Sequence, residues 1–189
     1  MKTGLYFGSF NPIHIGHLAV ANYMVEFTDL DDLWFVVSPH NPLKSKSVLL
    51  SDERRLRMVE LALDGDLRFR ASDVELQLPR PSYTIDTLHF LEATFPEREF
   101  IVIMGSDGLP TFDQWKEYKQ IEEKYKRYIY PRPGFPVKAE TTPNIVLANA
   151  PQMDISSTFI RMSVQQGKDV RYFVPEKVWE YILAENLFR

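Results

Sequence analysis

Cysteine is absent from the 189 residues. That excludes disulfides, thiolate nucleophiles and cysteine-bound metal centres, and it permits a cytosolic address. No apolar run approaches the roughly 20 residues of a membrane-spanning helix, so no membrane partner is expected. The segment Met1-Lys2-Thr3, then Gly4 to Phe10, is apolar only briefly before Asn11, Pro12 and His14, unlike a secretory signal with its cleavage site. A basic excess is missing too: Lys and Arg number 22 against 26 Asp and Glu, a formal net charge of -4. Nucleic-acid binders usually carry a basic patch, so no nucleic-acid partner is expected. An anionic ligand must instead be held by a few local cations and backbone N–H groups, which suits a small phosphate ester better than a polymer. The first strand-to-helix junction also lacks G-x-G-x-x-G, which argues against a hydride-transfer dehydrogenase.

What is present reads as ordinary globular protein. The composition is 44% hydrophobic and 25% charged, with no repeat and no break that would divide the chain, so residues 1–189 are expected to form a single domain. Strands alternate with helices. Leu5-Tyr6-Phe7 is a strand core ending at Gly8, and a helix is expected from about His14 to Glu26 with Leu18, Ala21 and Val25 at helical spacing. Leu33 to Val37 reads as a buried strand, and 39–50 as a loop with two prolines and two lysines. Ser51 has the character of an N-cap, with Leu56, Val59 and Leu63 on one face of the helix that follows. Leu67 to Leu76 is strand-like, Thr84 to Ala93 helical, and Phe100 to Met104 the strongest strand. Gln114 to Lys124 is expected to be helical, Tyr128–Tyr130 and Ile145–Leu147 strands, and 157–166 and 176–185 helices. This order predicts an α/β fold, a doubly wound Rossmann-like parallel sheet with helices on both faces. The sequence leaves oligomeric state open.

The sharpest chemical signal lies at the first junction, Gly8-Ser9-Phe10-Asn11-Pro12-Ile13-His14-Ile15-Gly16-His17. Ligands of open α/β sheets bind at the carboxyl ends of strands, where a helix N-terminus offers free N–H groups and a positive dipole end to phosphate. Gly8 is expected to permit a tight turn, and Gly16 to remove a side chain where a nucleotide approaches. His14 and His17, three apart, leave one face of the first helical turn and can donate hydrogen bonds to a phosphate as its charge builds. A zinc site or a merely packed pair are the alternatives, although H-x-x-H lacks the E-x-x-H frame and a nearby third ligand. A second signal is Ile155-Ser156-Ser157-Thr158-Phe159-Ile160-Arg161. Ser156 or Ser157 can cap a helix whose free N–H groups face an anion, and Arg161, one turn beyond Ser157, can grip two oxygens together. Taken alone, it equally suits an ordinary capped helix with a surface Arg.

Gly8 to His17 resembles the signature of the nucleotidyltransferase superfamily, which carries an H-x-G-H pair on a Rossmann-like fold. His14-Ile15-Gly16-His17 is shared with class I aminoacyl-tRNA synthetases as well, but those need further domains for tRNA that 189 residues do not provide. Ile155 to Arg161 resembles the superfamily's I-S-S-T-x-I-R element, which holds the β- and γ-phosphates of ATP. Three further stretches narrow the family. Pro39-His40-Asn41-Pro42-Leu43-Lys44 resembles the P-H-x-x-x-K loop of the nicotinate mononucleotide adenylyltransferases, with Lys44 or Lys46 reaching substrate phosphates. Tyr83-Thr84-Ile85-Asp86-Thr87-Leu88 matches their Y-T-I-D-T-L, the most discriminating match. Gly105-Ser106-Asp107 resembles their G-x-D, where the carboxylate accepts from ribose hydroxyls. Trp115 sits where that family places an aromatic beside the pyridine, and Arg132-Pro133-Gly134 resembles its R-P-G near the adenine. Taken singly, Lys44 and Lys46 also suit a solvated loop, Trp115 a core position and Asp107 a helix cap. The chain departs from the pattern in three places, the first being extra residues in the loop between His40 and Lys44, which leaves open which lysine acts. The common G-G-T-F-D-P is one residue shorter here and has Asn11 for Asp, and Lys116 stands where an aromatic or His often follows Trp115.

The resemblance implies that nicotinate mononucleotide and ATP, with Mg²⁺ carried on the ATP, give nicotinate adenine dinucleotide and pyrophosphate. His14, His17, Lys44 and Arg161 would be catalytic. Gly8, Ser9, Phe10, Gly16, Gly105, Asp107, Arg132, Ile155, Ser156, Ser157, Thr158 and Arg161 would hold ATP. Asn11, His40, Lys44, Lys46, Tyr83, Thr84 and Trp115 would hold the mononucleotide. The same chemistry on nicotinamide mononucleotide or phosphopantetheine, and a non-catalytic nucleotide sensor of the same fold, are the competing readings.

Overall fold

Six apolar stretches pair into one parallel sheet in the computed structural model, which describes residues 1–39, 49–137 and 144–189. The strands are β1 (Lys2–Gly8), β2 (Asp32–Val37), β3 (Phe69–Ser72), β4 (Glu99–Gly105), β5 (Arg127–Tyr130) and β6 (Ile145–Leu147), in the spatial order β3-β2-β1-β4-β5-β6. β1 is flanked on both sides, so Leu5 registers with Trp34 of β2 and with Val102 of β4. A strand buried on both faces must be apolar in consecutive positions rather than in alternation. The run Leu33-Trp34-Phe35-Val36-Val37 meets that requirement, with every member at 3% exposure or less.

Successive strand residues feed two separate cores, because their side chains alternate across the sheet. Tyr6, Phe35, Val37, Ile101, Ile103 and Tyr128 pack on one face with α1 (Ile15–Phe27), α2 (Asp52–Leu63), α6 (Ser157–Gln165) and α7 (Glu176–Ala184). Leu5, Trp34, Val36, Val102 and Met104 pack on the other with α4 (Thr84–Thr94) and α5 (Tyr118–Lys124). A single-turn helix, α3 (Val74–Gln77), also lies on this second face. The expected doubly wound architecture with helices on both faces is present. Among the described residues no helix is long and apolar enough to cross a membrane.

Several local expectations change. The strand read over Leu67 to Leu76 is only β3, and α3 follows it at once. Asp73 and the Glu-Leu-Gln run turn the chain back, and periodicity alone does not separate a short strand from a helical turn. The helix read over Gln114 to Lys124 begins only at Tyr118. A 3-10 stretch covers Ser106–Gln114, and Glu117 at φ 52 breaks the path before α5. On α1 the buried line is Gly16, Val20, Ala21 and Met24, while Leu18 and Val25 pack at its margin. The expectation about 39–50 falls largely on 40–48, outside the described residues.

Ser51 does cap α2, its Oγ accepting from the Arg54 N–H at 3.5 Å. One turn on, the helix buries an arginine on the same side as Met58 and Val59. Arg55 is 0% exposed. Its guanidinium donates to the carbonyls of Ser9 (2.7 Å), Ser38 (2.7 Å) and Leu50 (3.2 Å), and to the Asp52 carboxylate. One side chain thus ties the segments after β1 and β2 to the start of α2. Replacing Arg55 with Met would strand three carbonyls and leave Asp52 with Arg80 as its remaining partner. Urea unfolding is expected to show a loss of about 3 kcal/mol or more, and a loss under about 1 kcal/mol would show that the tie is not what holds these segments.

Candidate active site

The strand order reverses between β1 and β4, and ligands of such sheets bind outside the carboxyl ends of the strands at that point. A cleft of about 910 Å³ opens there. It is lined by Gly8, Ser9, Phe10, Asn11, His14 and His17 from the first junction, and by Ser38 and Glu75 beyond β2 and β3. Ser82, Tyr83, Thr84, Trp115 and Lys116 line one end, while Arg132, Ile155, Ser156, Ser157, Thr158 and Arg161 line another. The residues expected from 150 positions apart in the sequence therefore share one cavity. Gly16 opens instead on a narrower adjoining recess with His14, Arg132, Pro133 and Ile155. Gly105 and Asp107 stand behind this lining, and Asp107 reaches it through Arg132, Nε to Oδ1 3.8 Å. His40, Lys44 and Lys46 lie outside the described residues.

The two histidines are built as a unit. Their rings stack with centroids 3.6 Å apart and planes at 24°. His14 is the N-cap of α1, and its backbone N–H donates to His17 Nδ1 at 3.2 Å. With Nδ1 engaged as an acceptor, a neutral His17 carries its proton on Nε2. Neutrality follows from the surroundings. Burial lowers the His14 pKa to about 4, assisted by Arg132. Burial, then the neighbouring His14 and Arg132, hold His17 well below the ordinary imidazole range. Phe10 meets His17 edge-on at 5.1 Å, and behind them the Tyr6 and Tyr130 hydroxyls hydrogen-bond at 3.1 Å.

The Gly8 expectation at this junction needs correction, and Gly16 has a further reason to lack a side chain. The tight turn belongs to Phe10, at φ 45, and not to Gly8. Gly8 is required because a Cβ there would come within 2.7 Å of the Phe10 ring. A Cβ on Gly16 would meet His14 Nδ1 at 3.0 Å and Cε1 at 3.1 Å, so this glycine makes room for the imidazole itself. Phe10, at 2% exposure, serves mainly as the floor under His17.

The second motif closes onto the first. Ser156 is the cap of α6, accepting from the Phe159 N–H at 3.1 Å, whereas the Ser157 hydroxyl donates to the Pro12 carbonyl at 2.8 Å. Arg161 Nη1 donates to the Asn11 carbonyl at 2.8 Å and Nη2 to Thr158 Oγ1 at 3.2 Å. Asn11 is buried, and its side-chain oxygen accepts from the Leu50 N–H at 3.3 Å. Among the described residues, Arg161 Nε at this junction is buried with no hydrogen-bond partner, and a buried polar atom of this kind costs roughly 1–3 kcal/mol.

At the opposite end, α4 starts at Thr84 after the N-cap Tyr83, which makes no side-chain cap, and both residues line the cleft at a helix start whose first-turn N–H groups lack intrahelical partners. Trp115 packs its ring 5.5 Å from that of Phe112 and lines the cavity. Lys116 is already paired: Nζ sits 2.8 and 2.9 Å from the two Asp86 oxygens and 5.0 Å from the centre of the Tyr83 ring. Three contributors escaped the sequence reading. Arg55 had a signal, since it falls on the apolar face with Val59 and Leu63. Glu75 and Ser82 had none, because their meeting depends on α3 and α4 closing over the sheet.

Comparison with known proteins gives the same assignment. The cytidylyltransferase-like family profile matches residues 5–163. A Bacteroides thetaiotaomicron protein named "probable nicotinate-nucleotide adenylyltransferase" is 54% identical over 183 residues, 96% of this chain and 91% of that one. One of the same name from Flavobacterium johnsoniae is 49% identical over 192 residues, covering all of both chains. The chain belongs to the nicotinate-nucleotide adenylyltransferase family. Among solved structures, the nicotinic acid mononucleotide adenylyltransferase of Plasmodium falciparum is similar in fold. Its complex with NaAD superposes with TM-score 0.83 at 20% identity, over 99% of this chain and 97% of that one. Its complex with APC gives 0.81, also at 20% identity, over 99% and 96%.

In this member of the family, the histidine environment has two measurable consequences. Gly16→Ala ordinarily favours a helix by up to about 1 kcal/mol, but here the methyl displaces His14. Stability is expected near wild type while turnover falls about 10-fold or more, and unchanged turnover would show that the ring position is unimportant. Nitrogen NMR of the imidazoles is expected to find both neutral at pH 7, with His17 protonated on Nε2. Because the folded pKa of His14 is depressed from 6.5 to about 4, its contribution to stability is present above pH 6.5 and is lost as the pH falls through about 4. A His14 that titrates near 6.5 in the folded protein would overturn this.

Proposed function

We propose that the protein transfers the adenylyl group of ATP to nicotinate mononucleotide, giving nicotinate adenine dinucleotide and pyrophosphate, with residues 1–189 acting as one catalytic domain. One observation carries the reading: two helix N-termini, those of α1 and α6, are clasped together through Asn11 and Pro12 at one cleft. Their N–H groups, two neutral imidazoles and a guanidinium converge where a polyphosphate needs donors. The family supplies the acceptor, and a cytosolic site of action fits a chain without cysteine.

An oxygen of the mononucleotide phosphate bonds to the α-phosphorus of ATP. The bond from that phosphorus to the bridging oxygen breaks, and pyrophosphate leaves with the electron pair. The attacking phosphate is already an anion, so no general base is required, and imidazoles held neutral by burial suit the role of hydrogen-bond donors rather than proton donors. His17 Nε2–H and His14 stabilise the charge building on the α-phosphoryl oxygens. Ser156, Ser157, Thr158 and Arg161 hold the departing pyrophosphate, with Gly8, Ser9 and Ile155 framing the phosphates. Arg132 and Asp107 flank the adenosine beside Gly105 and Gly16. Lys44 or Lys46, with His40, meets the incoming phosphate. Mg²⁺ comes with ATP as part of that substrate, since phosphates and water complete its coordination. Among the described residues no group of three or more His, Cys, Asp or Glu is placed to hold a metal ion.

At the other end, Trp115 stacks on the pyridine, and the uncapped start of α4 at Tyr83 and Thr84 receives the nicotinate carboxylate. A neutral amide would meet the same N–H groups donor to donor. Sites of this kind discriminate by roughly 10⁴-fold.

Pyrophosphate release from ATP with nicotinate mononucleotide, nicotinamide mononucleotide and phosphopantetheine tests the reading. The acid is expected to lead, and preference for another ester or no release with any would overturn it. His14→Ala and His17→Ala are each expected to lower kcat by on the order of 10²-fold with little change in KM. Arg161→Lys cannot reach Asn11 and Thr158 together, so it is expected to raise the KM for ATP and spare that for the mononucleotide. The reverse pattern would assign α6 to the wrong substrate.

A further inference from the structure

Glu75 is a carboxylate that the adenylyl transfer does not use, yet it lines the cleft at 3% exposure. α3 swings it inward just past the end of β3. Thr87 Oγ1, in α4, donates to its Oε1 at 3.0 Å and lies 3.3 Å from the Tyr83 carbonyl. The Ser38 hydroxyl, beyond β2, and the Ser82 hydroxyl, immediately before α4, face it across the cleft lining and favour its charged form. Burial raises its pKa while the three hydroxyls oppose that rise. One side chain thus faces hydroxyls from the end of β2 and from either side of the first turn of α4.

We infer that Glu75 is a positioning residue for recognition of the pyridine substituent, holding Ser82 and Thr87 so that the N–H groups of α4's first turn stay aimed into the cleft. The inference rests on the proposed function, because it concerns the end of the cleft assigned to nicotinate. It is a matter of reach rather than charge. Hydroxyls rotate freely and both donate and accept, so an amide of the same length can hold all three. A side chain one methylene shorter cannot. Misplacement of a substrate-positioning group by about 1 Å costs up to about 10²-fold, and the cost falls on the mononucleotide alone, since ATP binds at the other helix starts.

The test is a series of Glu75→Gln, Glu75→Asp and Glu75→Ala, read as separate KM values for the two substrates and as the ratio of kcat/KM for acid over amide mononucleotide. Asp and Ala are expected to raise the KM for nicotinate mononucleotide about 10-fold or more and to lower the acid-to-amide ratio about as much. The KM for ATP should move less than about 2-fold, and Gln should stay within about 3-fold of wild type throughout. Equal losses for both substrates would reduce Glu75 to a structural residue. Unchanged parameters in Ala, or a Gln variant as damaged as Ala, would overturn the inference. If the Ala and Asp variants fail to fold, Thr87→Val keeps the shape of the helix residue and removes the hydroxyl. It is expected to show the same KM rise for the mononucleotide, and an unchanged KM would overturn the inference as well. Failure of the functional reading is separately visible, because wild-type protein would then not turn over nicotinate mononucleotide at all.

Discussion

Two hydrogen bonds, from Ser157 to the Pro12 carbonyl and from Arg161 to the Asn11 carbonyl, join residues 145 and 150 positions apart in the chain. The phosphate-facing end of the cleft depends on them. A helix N-terminus alone is a weak anion site, because its partial charge is about half an elementary charge and is screened within a turn. Two such ends held against each other, with a guanidinium between them, present donors over the length of a polyphosphate. The clasp also fixes which donors remain free. Arg161 commits one N–H to Asn11 and one to Thr158, and among the described residues its buried Nε has no partner.

Burial sets the chemistry of the histidine pair. In water His14 would be partly protonated near neutral pH, but beside Arg132 and under the sheet's carboxyl edge its pKa drops to about 4. A cationic pair stacked at 3.6 Å would repel itself. The neutral pair avoids that repulsion and keeps donors that need no reorganisation when charge develops. Gly16 and Phe10 serve the same end, one by yielding space to His14 and the other by flooring His17.

Behind the reacting groups, two buried side chains of opposite charge hold backbone in place. Arg55 gathers three carbonyls from the segments after β1 and β2 and before α2, and Glu75 gathers hydroxyls from β2's end and from α4. Each satisfies groups that would otherwise be stranded in low dielectric, where an unpaired polar atom is costly. Rigid support of this kind is what allows a loop-built site to keep its geometry.

Much of this was legible in the chain before folding. Apolar runs such as Leu33 to Val37 and Phe100 to Met104 are long enough and hydrophobic enough to be buried on both faces, and the helices between them force parallel pairing. The two chemical motifs were legible too, because a capped helix start and paired histidines are local features of neighbouring residues. What local pattern did not contain is who meets whom. The roles of Gly8 and Gly16 turned on the positions of the Phe10 and His14 rings, and the break before α5 turned on a left-handed Glu117. Arg55 shows only by falling on the apolar face of α2 and Glu75 shows not at all, because only the closing of α2, α3 and α4 over the sheet takes them out of water. Sequence by itself determined most of the elements, their order and the two motifs that meet at the cleft, since these follow from short-range periodicity and residue type. The tertiary structure alone decided which buried polar atoms find partners, because those partners are supplied by segments far away in the chain.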